Sequence, residues 1–138
     1  MSTPYVLDAC ALVAFLRKES GWERVREVIL YAHAKTHVVQ MHVFNLLEVY
    51  YDMYRSLGKE KTDEEFRMIR KLPIIFNTNL SDDIFTEAGR LKASYKISLA
   101  DSIALAQTKA IEGILLTSDH HEFDVIEGEE PIKFLWIR

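Results

Sequence analysis

The sequence predicts an α/β fold, a parallel sheet with helices on both faces. Three observations predict it. Short apolar, β-branched runs alternate with longer stretches of helical spacing, the pattern of strands joined by right-handed helical crossovers. Those runs are apolar throughout, as in strands buried on both sides. Five Gly and three Pro among 138 residues leave most of the chain to regular structure.

The elements follow in order. Tyr5-Val6-Leu7 is the first strand, closed at once by Asp8. Ala9 to Arg17 is helix-forming and mostly apolar. Ser20 is placed to cap a second helix, in which Trp22, Val25, Val28, Ile29 and Ala32 recur at helical spacing. Thr36 to Gln40 is short and β-branched, a second strand. Val43 to Leu57 is a strong helix with Gly58 as its stop. Thr62-Asp63-Glu64-Glu65 has the form of a capping box and opens a helix to about Lys71, which Pro73 ends. Ile74-Ile75-Phe76 is the third strand. Ser81 caps a helix whose Ile84, Ala88, Leu91 and Tyr95 share a face. Ser98 opens the next helix, and Gly113 closes it. Ile114 to Thr117 is the fourth strand, and Lys133 to Ile137 is a last strand at the edge. Gly58 to Thr62 and Glu127 to Pro131 are the soft stretches. No repeat or linker divides residues 1–138, and the length suits one domain.

Composition narrows the function. The chain is 49% hydrophobic and 28% charged, ordinary for a folded globule. Its single cysteine, Cys10, excludes an internal disulfide. The run at Tyr5 to Leu7 is too short for a signal segment, and no apolar stretch is long enough to span a membrane, so a cytoplasmic protein is expected. A net charge of −4 argues against a protein held on nucleic acid by a general basic surface. It leaves room for a nuclease, because a divalent cation among acids reverses their effect on a phosphate.

The acids fall where such a site would lie. In open α/β sheets ligands bind beyond the carboxyl ends of the strands. Asp8 follows the first strand and Asp119 the fourth. Asp101, in the stretch SLADSIALA, is in the first turn of a helix that runs back into the fourth strand, so it starts at the same edge. Glu48 is a fourth candidate. On a helical wheel it points away from the stripe of Val43, Leu46, Tyr50, Met53 and Leu57, as a solvated glutamate would. Its i,i+4 neighbour Asp52 is mildly repulsive unless a cation or Arg55 is near. Each acid also has a plainer reading: Asp8 as a helix cap, Asp119 as a turn residue, and Asp101 as the far half of a capping box with Ser98. Independent caps need not share one edge, whereas ligands of one ion must. Carboxylates without a basic residue beside them suit Mg²⁺ or Mn²⁺.

Four stretches in order, YVLDACALVAFL, NLLEVYY, SLADSIALA and LLTSDHHEFD, resemble the acidic blocks of the PIN domain, and most closely those of VapC-type toxins of toxin–antitoxin pairs. The resemblance spans essentially the whole chain. It implies a three-layer α/β/α domain with a parallel sheet of about five strands in the order 3-2-1-4-5. It also implies Mg²⁺- or Mn²⁺-dependent endonucleolytic cleavage of RNA, inhibition by a small cognate antitoxin, and a homodimer. Carried over block by block, Asp8, Glu48 and Asp101 are the acids most often required for metal binding, and Asp119 is the more variable fourth. Thr117 fits the hydroxyl residue that often precedes that acid. Cys10 departs from the pattern, since many relatives have Ser or Thr there. Asp124 is a further acid near the last block.

Other residues carry competing readings. His120-His121 invites zinc, but adjacent histidines point apart and no Cys or His lies at ligand spacing, so a surface turn is expected. Trp22, Tyr50, Tyr51 and Tyr54 are at helical spacing and read as core or dimer packing before base stacking. An alternative from another class is a catalytically silent PIN domain that binds RNA or protein. A phosphoryl-transfer domain with Asp8 as nucleophile is disfavoured by Cys10, where a second Asp is wanted.

Overall fold

The computed structural model describes residues 3–138. The elements run β1 (Pro4–Leu7), α1 (Ala9–Arg17), α2 (Trp22–His33), β2 (Val38–His42), α3 (Val43–Leu57), α4 (Lys59–Ile69), β3 (Ile75–Asn77), α5 (Asp82–Ser94), α6 (Leu99–Ala110), β4 (Ile114–Thr117), α7 (His120–Glu129) and β5 (Lys133–Trp136). The five strands form one sheet in the order β3-β2-β1-β4-β5, with every pairing parallel. The chain starts at the centre, steps outward through β2 and β3, then crosses back to β4 and β5. That reversal between β1 and β4 is where such sheets open a crevice at their carboxyl edge.

Alternation along the central strands divides the core in two. Leu7 and Leu116, in register, face one side and pack with Leu12, Val25, Val49 and Phe66 from α1 to α4. Val6 and Leu115, also in register, face the other and pack with Leu91, Leu105, Phe123 and Ile126 from α5 to α7. All four strand residues are completely buried. The result is the three-layer α/β/α arrangement, and the strand order is the one the resemblance implies.

Several expectations are corrected. Ser20 does not cap α2; the residue before Trp22 is Gly21, at φ 90°, and α2 starts without a side-chain cap. The reason is steric. A Cβ on Gly21 would lie 2.0 Å from the Ile137 carbonyl oxygen, so only glycine lets the chain turn against the carboxyl terminus. Likewise α4 starts at Lys59 rather than Thr62. Gly58, at φ 81°, ends α3 and begins α4 within one residue, and Thr62 is buried a turn further on. The stretch from Gly58 to Thr62 is therefore mostly helix. β2 begins two residues later than expected, because the Thr36 hydroxyl donates to the Tyr31 carbonyl at 2.9 Å and stays with the end of α2. The pattern around His120-His121 gives no helix, yet α7 forms there, buried only through Phe123 and Ile126.

Candidate functional site

Of the helices that begin at the carboxyl edge of the sheet, α1, α6 and α7 each carry an acid at or near their start. Asp8 leaves β1 and becomes the N-cap of α1, its Oδ1 accepting the Ala11 N–H at 2.8 Å. Asp119 leaves β4 and caps α7, its Oδ1 accepting the Glu122 N–H at 3.2 Å. Its own N–H donates to the Thr117 hydroxyl at 3.0 Å, which fixes the turn out of the strand. At α6 the cap is Ser98, whose hydroxyl accepts the Asp101 N–H at 3.0 Å, so the Asp101 carboxylate is not needed as the cap. The cap reading of Asp8 is thus correct as far as it goes, and Asp119, read as a turn residue, is also a cap. The two caps use one oxygen of each carboxylate.

The other oxygen of Asp8 is the anomaly. Asp8 is 1% exposed, and its Oδ2 has no hydrogen-bond partner. Desolvation pushes its pKa from 3.8 up to about 7, against the pull of the Thr117 hydroxyl and the Ala11 N–H, and the charges of Asp101 and Asp119 raise it further. Burial, and then Asp101, Asp119 and Asp52, raise Glu48 to about 7. Asp101 rises to about 6 through burial and the charges of Asp119 and Glu122, with Ser98 opposing. Four acids from distant sequence, Asp8, Glu48, Asp101 and Asp119, therefore share one electrostatic neighbourhood. Cys10 lies within it: burial and then all four acids push its thiol up to about 12, so it is no nucleophile at neutral pH.

Glu48 is not opposite the buried face of α3. That face is Asn45, Leu46, Val49 and Met53, so its centre is rotated by roughly 60° toward Glu48 from the stripe read off the wheel. Glu48 sits half-buried on its flank and lines a groove of about 260 Å³ with Cys10, Tyr51, Asp52, Arg55 and Arg138. Upstream, His42 caps α3 with its ring. Nδ1 accepts the Phe44 N–H at 3.2 Å and Nε2 donates to the Asn79 carbonyl at 2.9 Å, which fixes the neutral tautomer.

Two residues at the site escaped the sequence reading. Glu122, in the first turn of α7, acts on Asp101 and became visible only with that helix. Asn45 is fully buried at the junction of α3 and α6. Its signal in the sequence is a lone amide in the apolar run from Val43 to Leu47, one turn before Glu48. Asp124 stands apart from the acids: it is exposed and pairs with His120 Nδ1 at 2.7 Å. The second nitrogen of His120 bonds the Arg138 carbonyl at 2.8 Å, and its ring stacks on Trp136 at 3.9 Å, which leaves no nitrogen for zinc. Tyr50 packs edge-on against Phe66 and donates to Asp63, whereas Tyr51 is exposed beneath Arg55.

The donor chemistry fits a hard divalent cation. The acids offer oxygens only, burial has desolvated Asp8, Glu48 and Asp101, and Asp8 carries a bare oxygen that a cation would satisfy. Among the described residues no three His, Cys, Asp or Glu side chains are grouped tightly enough to enclose an ion by themselves.

Comparison with known proteins agrees with this architecture. The family model described as "PIN domain" matches residues 5–129. A search of the curated proteins finds no match. Among solved structures the chain is similar to one in VapBC2 from Rickettsia felis bound to a DNA fragment from their promoter, with TM-score 0.72 and 20% identity over 96% of this chain and 98% of that one. It is similar to one in a toxin–antitoxin complex from Klebsiella pneumoniae, with TM-score 0.70 and 19% identity over 97% and 98%. A third is in VapBC-1 from nontypeable Haemophilus influenzae, with TM-score 0.72 and 13% identity over 97% and 98%.

Proposed function

The chain belongs to the PIN domain family, and from that premise we propose that it is a VapC-type toxin, an endoribonuclease that cleaves RNA phosphodiesters with Mg²⁺ or Mn²⁺. The observation that carries the reading is the buried Asp8 carboxylate with its bare Oδ2, set among Glu48, Asp101 and Asp119. In this reading those four acids hold the ion. When bound, it polarises the phosphodiester and supplies hydroxide from water at neutral pH.

The chain's own residues do the rest. Asp8 is aimed by the Ala11 N–H, which occupies Oδ1 and leaves Oδ2 for the site. Asp119 is aimed in the same way by Glu122, and Thr117 holds the turn. Ser98 caps α6 through the Asp101 N–H and also bonds the Asp101 carboxylate, which holds that side chain at the start of the helix. Arg55 and Arg138, on the groove beside Glu48, supply cationic contacts to an RNA strand. The partners proposed are RNA, a small cognate antitoxin and a second copy of the chain. The compartment proposed is the cytoplasm; no helix among the described residues is long and apolar enough to cross a membrane.

The second reading is the catalytically silent module that binds RNA or protein. One experiment separates the two. Purified protein free of antitoxin is incubated with RNA in Mg²⁺, Mn²⁺ or EDTA, beside Asp101→Asn. Cleavage that needs the ion and Asp101 supports the nuclease. RNA binding without cleavage in either ion supports the module.

A further inference from the structure

Asn45 lies on α3, one turn before Glu48, and is wholly buried. Its Nδ2 donates to the Ala100 carbonyl of α6 at 3.1 Å, and Ala100 is the residue before Asp101. Its Oδ1 is buried without a partner. The amide's orientation follows from that carbonyl, since a flip would set two acceptors face to face. A bare buried acceptor costs about 1–3 kcal/mol. Leu46 and Val49 beside it belong to the core, and an apolar residue at position 45 would avoid the cost. Packing alone therefore gives no reason for an amide.

The junction it spans does give one. α3 carries Glu48 and α6 carries Asp101, and Asn45 bridges the two helices beside both acids. Each sits within one turn of the bond, so the bond sets how far apart the two helices stand where the acids leave them. A buried polar atom left bare beside a hydrated site is also a seat for an ordered water.

We propose that Asn45 is a positioning residue: its Nδ2 bond to Ala100 fixes Glu48 against Asp101 for a divalent cation, and its Oδ1 accepts a hydrogen bond from a water of the site. The inference rests on the metal-site reading given above.

The test compares Mn²⁺ binding by calorimetry in wild type, Asn45→Leu, which keeps the branched shape, and Asn45→Ala, which cannot clash. Circular dichroism and thermal unfolding check the fold, and RNA cleavage is measured in parallel. The expected result is a folded variant that binds Mn²⁺ on the order of tenfold more weakly, with lowered kcat and unchanged KM for RNA. A folded variant with wild-type Mn²⁺ affinity overturns the role of Asn45 and leaves the nuclease reading standing. Failure of both variants to fold assigns the amide to the core and overturns it too. Wild type that binds Mn²⁺ but cuts no RNA sinks the nuclease reading alone, because the affinity comparison still decides this one.

Discussion

Asp8 and Ala11 are joined by a 2.8 Å hydrogen bond that engages one oxygen of the carboxylate and leaves the other buried and bare. Asn offers the same capping oxygen without the charge. Asp8→Asn is therefore expected to fold. Without metal it should be more stable than wild type at pH 8, and by a smaller margin at pH 5, since folding of wild type must protonate the buried carboxylate at any pH above its unfolded value of 3.8. RNA cleavage should be lost. Urea unfolding in EDTA at the two pH values checks the first part; a variant less stable than wild type at pH 8 contradicts it.

Wild type should show the matching pH dependence. Asp8 and Glu48 have pKa values raised to about 7 and Asp101 to about 6, from 3.8, 4.5 and 3.8. Between the unfolded and folded values the native state holds more protons, so metal-free stability falls as pH rises from about 4 to 7. Glu87 and Glu130 act oppositely. Arg90 lowers their pKa values, and their stabilisation is lost as pH falls through the acid range. The thermal midpoint in EDTA should peak near pH 4 by these signs. A midpoint still climbing from pH 5 to pH 8 contradicts the burial of those acids.

Mn²⁺ should reverse that slope. A cation binds the ionised acids and the folded chain only, so it should raise the midpoint more at pH 8 than at pH 5. At a hundredfold excess over Kd the gain is about 2.7 kcal/mol. Asp101→Asn should keep its fold, since Ser98 is the cap, and lose most of the gain. Scanning calorimetry with and without Mn²⁺ reads this directly.

Two glycines with positive φ should respond differently to alanine. Gly21→Ala drives a Cβ into the Ile137 backbone, whereas Gly58→Ala meets nothing within 4 Å and bears only the strain of φ 81°. The second should cost about 1 kcal/mol. The first should cost more than twice that, enough to lower the midpoint by several degrees more. Equal costs would mean that the chain ends are not packed as described.

Arg90 ties α5 to the residue just beyond α7. It donates to Glu87 and, at 2.6 Å, to Glu130, which also accepts the Tyr95 hydroxyl at 2.7 Å. Arg90 is half in solvent, so Arg90→Ala should cost about 1 kcal/mol and less at high salt. Tyr95→Phe should cost a similar amount with no salt dependence. Chemical denaturation at two salt concentrations separates them.

The sheet was legible because its strands are short apolar runs that end on polar residues, as at Leu7-Asp8 and Thr117-Ser118. The common edge of Asp8, Asp101 and Asp119 followed from strand and helix direction alone. Glu48 was harder, because the polar Asn45 belongs to the buried face of α3 and had been left out of the stripe. α7 was missed because two buried side chains in ten residues give too little periodicity. The start of α4 was misplaced because a capping-box pattern at Thr62 outweighed a glycine whose left-handed backbone the sequence does not announce. Ser20 lost its cap role to a contact with the far end of the chain, which no local pattern encodes.

Asp8 and Asp119 each start a helix with one oxygen, and asparagine can start it equally well. Aspartate and asparagine codons differ by a single base. Under the proposed metal-site reading, one mutational step at either position removes a ligand of the ion while the helix keeps its cap, and the reverse step restores it.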